Sequence, residues 1–108
     1  MEAAEYVRRV LEAYRATPGT CGAIRKPDRA FALRLFERGV PFSVVDNAFV
    51  LAATRRLVRP VEAPALGVIR SLAYFSPVID EVLGSDVSQM YFQYLRHRLA
   101  QQLGKPKP

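Results

Sequence analysis

Apolar residues return at close to 3.6-residue intervals through every long segment of this chain, and no run alternates with period two. That spacing buries one stripe of a helix and does not suit a half-buried strand. It directs the 108 residues to an all-α fold. Five helices are expected in one compact domain over 1–103. They include a helix-turn-helix-like pair at 28–38 and 42–58, and a flexible basic tail follows at 104–108.

The stop and start signals place the helices. Tyr6, Val7, Val10, Leu11 and Tyr14 make one stripe over about 3–16, and Thr17-Pro18-Gly19 ends it. Pro27 and Asp28 open the second helix, and Gly39 closes it as a left-handed cap. Its inward residues are Phe31, Ala32, Leu35 and Phe36. Val40-Pro41 turns the chain into the third helix, 42–58, whose apolar side holds Phe42, Val45, Ala48, Phe49, Ala52 and Leu57. A fourth helix is expected from Pro64 or Ala65, carrying Leu66, Ile69, Leu72 and Phe75, kinked or split at Pro77. The fifth, 87–103, is expected to turn Val87, Met90, Tyr91, Tyr94, Leu95 and Leu99 inward.

The charge is uneven. Sixteen Lys and Arg face ten Asp and Glu, a net of +6. Arg25 to Arg59 holds eight bases against three acids and carries +5 of it. Such a segment attracts phosphate backbones. Arg25, Lys26 and Arg29 surround a helix start, where the dipole opposes cations and a bound anion would favour them. Arg34 and Arg38 share one face of the same helix. Arg55, Arg56 and Arg59 sit at the end of the third helix, where the dipole alone accounts for them. Ser43, Asn47 and Thr54 form the thin polar strip of that helix. They are either base-edge contacts or the solvent edge of a core helix.

Catalytic chemistry finds little to use. One cysteine, Cys21, rules out an internal disulfide and a multi-cysteine zinc site. The one histidine, His97, lies between two arginines. Gly19-Thr20-Cys21-Gly22 lacks the spacing of a phosphate-binding loop. Asp80 and Glu81 are adjacent and diverge on a helix. No catalytic residue, metal or cofactor is expected. Tyr74-Phe75 and Tyr91-Phe92-x-Tyr94 resemble base-stacking platforms, yet at helical spacing they are assigned to the core. The acidic start Met1-Glu2-Ala3-Ala4-Glu5 carries no export signal, and no apolar stretch is long enough to span a membrane, so a cytoplasmic setting is expected.

The phrases Arg38-Gly39-Val40-Pro41-Phe42-Ser43-Val44-Val45 and Ile69-Arg70-Ser71-Leu72-Ala73-Tyr74-Phe75 resemble pieces of small helical proteins from bacterial mobile elements. They are also similar to helical domains appended to replication-initiation and primase proteins. The resemblance covers about 25–83 and implies DNA handling without catalytic residues. The expected function is therefore nucleic-acid binding, DNA ahead of RNA, through Arg25, Lys26, Arg29, Arg34, Arg38, Ser43, Asn47, Thr54, Arg55, Arg56 and Arg59. The alternatives are a protein-interaction module, including a homodimer, and a helical subunit of a ribonucleoprotein complex. A large apolar patch on the third or fifth helix would favour a protein partner.

Overall fold

The first helix, α1, forms over Ala3–Ala16 and buries Tyr6, Val10, Leu11 and Tyr14. Each such side chain removed from water contributes roughly 1.5–3 kcal/mol. Thr17 ends it, its hydroxyl donating to the Ala13 carbonyl at 2.7 Å. This computed structural model describes residues 1–60 and 62–104, without the side chains of 103 and 104.

The second helix, α2, spans Lys26–Glu37 with Pro27 in its first turn. Gly39 takes φ +75°, the left-handed cap expected of it. Its N–H donates to Phe36 and that of Val40 to Leu35, which uses carbonyls the helix end would otherwise leave unpaired. The Tyr6 hydroxyl donates to the Val40 carbonyl at 2.7 Å and fastens this turn to α1.

The third helix, α3, runs over Phe42–Leu57 and is the axis of the molecule. It packs on α1, α4, α5 and the turn at 72–75, while α2 packs on α1 and that same turn. The helix-turn-helix succession is therefore present, with Leu35 and Val45 both buried. Each of its two helices finds its main neighbours elsewhere, however.

Two expectations are corrected. No helix begins near Pro64. Instead Leu72–Phe75 forms a 3₁₀ turn that runs into α4, Ser76–Leu83. Pro77 lies in the first turn of α4, where its missing N–H costs nothing. Pro77 therefore opens a helix rather than splitting one, and before it only the 3₁₀ turn at 72–75 is helical. Ile69 is extended: its N–H donates to Gly19 and its carbonyl accepts from Cys21, at 2.8 and 2.9 Å. These bonds satisfy loop backbone that a helix at 64–71 would leave unpaired. Ile69, Leu72 and Phe75 are buried as expected, whereas Leu66 is exposed.

The second correction concerns the last helix. α5 covers Gln89–Gly104 and buries Phe92 and Leu95, with Arg96 and Leu99 half-buried. Val87, Met90, Tyr91 and Tyr94 are exposed. Two apolar stripes compete on this helix. The one through Met90 and Tyr94 continues into His97, Arg98 and Gln101, whereas Phe92-Leu95-Leu99 stays apolar and wins the interior, and Val87 lies before the helix. Phe31 and Phe36, expected in the core, are partly buried against it. Among the described residues there is no strand, only the isolated Thr20–Ile69 bridge. The tail at 105–108 lies outside the described residues.

Candidate nucleic-acid interface

The arginines of the basic segment divide into two groups. The α3 group is bonded within the protein. Arg55 makes a two-pronged pair with the Glu81 carboxylate on α4. Glu81 is thereby held below its ordinary carboxyl value and Arg55 raised above its own, chiefly by that hydrogen bond. Arg56 donates to the Gly67 carbonyl at 2.8 Å and lies over the Tyr74 ring. Arg59 donates to the Pro64 carbonyl at 2.7 Å. Arg56 and Arg59 therefore fasten the non-helical 62–71 segment to the end of α3.

The α2 group differs. Arg25, Lys26, Arg29, Arg34 and Arg38 are all exposed around one short helix. Only Arg38 reaches a carboxylate among the described residues, Asp80 at 3.4 Å, in an exposed pair of small worth. Arg34 lies over the Phe31 ring with its guanidinium 5.8 Å from the centroid. Nor do the segment's own acids neutralise the cluster. Asp28 is buried and spends its oxygens on the backbone N–H groups of Arg25 and Leu72, both at 2.9 Å. Asp46 is held by Arg96 of α5 at 2.8 Å. Glu37 alone stands exposed beside the cations.

Arg29 also lines an open groove of about 540 Å³ between α1 and α2, where Arg8 and Arg15 of α1 join it. Val7, Leu11, Ile24 and Leu33 make the apolar part of its lining. Arg8 and Arg15 lie outside the basic segment 25–59. Their seven-residue spacing, two helical turns, was the signal that sets them on one face. Arg8 is paired with Glu12 one turn on.

The polar strip of α3 does not reach outward. Asn47 is 6% exposed, and its amide donates to Gln89 on α5 at 3.0 Å. Thr54 is half-buried and donates to the Val50 carbonyl, while Ser43 is exposed. α5 thus packs over Asn47, so of the strip expected either to meet base edges or to form a solvent edge only Ser43 is exposed. Cys21 is exposed, and among the described residues no three metal-ligating side chains converge. Nor is any described helix long and apolar enough to cross a membrane. Comparison of the chain with protein-family models, curated proteins and solved structures returns no match.

Proposed function

We propose that the chain is a non-catalytic nucleic-acid-binding domain that grips the phosphate backbone of duplex DNA through α2. One observation carries this reading. Arg25, just before the 12-residue α2, and Lys26, Arg29 and Arg34 on it are exposed with no carboxylate paired to them among the described residues. Four cations on so short a stretch, with no carboxylate paired to them, make a positive field that draws a polyanion, which releases its own counterions on binding. The burial of Asn47 supports backbone binding over base reading.

A salt series with duplex DNA tests it. Each neutralised phosphate contributes about −0.9 to the slope of log affinity against log salt. Arg29→Ala/Arg34→Ala is expected to weaken binding to all sequences alike and to flatten the slope by about 2. Failure of the unmodified protein to bind duplex at low salt overturns the proposal.

The exposed apolar side chains of α5 favour a second reading, a protein-interaction surface. Sedimentation of the purified chain over a concentration range tests its homodimer form.

A further inference from the structure

The aromatic pairs of this chain are split by burial in a consistent way. In Tyr74-Phe75 and in Tyr91-Phe92 the phenylalanine is buried and the tyrosine exposed. Tyr94, one turn after Tyr91, is exposed as well, at 55% against 45%. A tyrosine that serves only a core does not leave half its ring in water. On α5 the Tyr94 ring stands beside a cation. The Arg98 guanidinium lies 5.9 Å from the Tyr94 ring centroid, and its Nη1 donates to the Tyr94 hydroxyl at 3.4 Å. Tyr91 is braced edge-on by buried Phe92, with centroids 5.8 Å apart. The helix from Gln89 to Gly104 carries no acid, and of its two arginines Arg96 is spent on Asp46 of α3 while Arg98 has no carboxylate partner among the described residues. Glu81, the carboxylate beside Tyr91, is already held by Arg55.

Two half-exposed rings one turn apart, with Arg98 beside one of them on a helix without acids, match a strand whose bases are unstacked and whose backbone is anionic. A second copy of the chain is the rival occupant of this face, and self-association that depends on the two rings would reveal it. We infer that α5 is a second nucleic-acid surface, on which Tyr91 and Tyr94 stack the bases of a single strand and Arg98 meets its phosphates. The inference rests on the nucleic-acid reading above for its class of ligand, and it concerns a different face.

The chain has five tyrosines and no tryptophan, so its own fluorescence reports on them. Tyr6 and Tyr14 are buried, which leaves Tyr74, Tyr91 and Tyr94 to respond. Oligothymidylate, which has little structure of its own, is the probe. Saturable quenching of tyrosine emission is expected. Tyr91→Leu/Tyr94→Leu is expected to abolish most of it and to weaken binding about tenfold per ring, with duplex affinity unchanged. Tyr91→Phe/Tyr94→Phe is expected to keep the affinity, because stacking needs the ring and not the hydroxyl. Tyr94→Leu alone, at the more exposed position, retains the test if the double variant fails to fold.

Oligothymidylate binding that leaves tyrosine emission unchanged, or that the leucine variants match, overturns the inference. Concentration-dependent self-association that the leucine variants abolish also overturns it. Duplex binding without quenching by the single strand overturns it and leaves the α2 reading standing. Quenching by the single strand without duplex binding does the reverse.

Discussion

The Asp28 carboxylate accepts the backbone N–H of Leu72 at 2.9 Å, across 44 positions of sequence. Its other oxygen accepts the N–H of Arg25 at the start of α2. One buried side chain thus ends a helix locally and docks the 72–75 turn against it. Asp28→Ala leaves the Leu72 N–H without a partner in the interior and takes the acceptor from the part-buried Arg25 N–H. Hydrogen bonds to a charged group contribute about 1.5–3 kcal/mol each, so a loss of about 3 kcal/mol is expected in urea unfolding. Asp28→Asn keeps one acceptor oxygen and is expected to lose about half as much.

The local half of that role was legible and the distant half was not. Asp beside Pro at a helix start has a meaning fixed by the first turn alone. The partner at Leu72 depends on where the chain returns, and no spacing encodes that. The same distinction runs through the rest. α1 and the Gly39 cap follow from signals within a turn or two, and both lie where expected. The 64–71 segment departs from expectation because Ile69, Leu72 and Phe75 keep a helical spacing while the backbone of Ile69 pairs with Gly19 and Cys21. On α5, two apolar stripes of similar strength left the choice to α3. In the site, the cluster on α2 could be read from charge alone. That Arg55, Arg56 and Arg59 bond to Glu81, Gly67 and Pro64 could not, because those partners lie on other segments.

Two buried tyrosines on α1 should behave oppositely. Tyr6→Phe removes a 2.7 Å hydrogen bond to Val40 and is expected to cost about 1 kcal/mol. The Tyr14 hydroxyl is buried with no protein partner among the described residues. Tyr14→Phe is therefore expected to be neutral or stabilising by up to about 1 kcal/mol. Denaturant midpoints of the two variants check this directly.

Tyr14 also predicts an alkaline limb of stability. Burial, with the Asp28 charge second, pushes its phenol up from 10.0 to about 12. The neutral form is the one that folds. The contribution is fully present below pH 10 and is lost as pH rises through the folded value near 12. Wild-type stability should fall across that window. Tyr14→Phe should flatten the fall, and Tyr6, also raised by burial, should supply what remains.

The left-handed glycines should differ in their response to a methyl group. At Gly39 a Cβ meets nothing within 4 Å, so Gly39→Ala carries only the cost of φ +75°, about 1–2 kcal/mol. At Gly19, φ is +94° and the Cβ would lie 2.9 Å from Arg56 Nε. Gly19→Ala should cost more, because Arg56 must also leave the Gly67 carbonyl. Thermal unfolding of both variants, with Arg56→Ala as background, separates strain from the lost contact. In that background the Gly19 penalty should fall towards that of Gly39.

The division of the arginines into two groups predicts two kinds of variant. Arg55 and Arg56 hold α4 and the 62–71 segment to α3 through Glu81 and Gly67. Arg55→Ala/Arg56→Ala should lower the unfolding midpoint and leave the slope of duplex affinity against salt unchanged. Arg29→Ala/Arg34→Ala should leave the midpoint nearly unchanged, since both side chains are exposed without ion pairs among the described residues. It should flatten the slope by about 2 if each residue contacts one phosphate. The acid limb offers an independent check on the first pair. Glu81 is depressed below its ordinary value of 4.5, so its contribution is present above that pH and fades as pH falls through the folded value. Arg55→Ala should remove that part of the acid dependence. A flattened salt slope in the Arg55/Arg56 variant would show that these side chains leave their internal partners to meet phosphate, and would extend the interface from α2 onto α3.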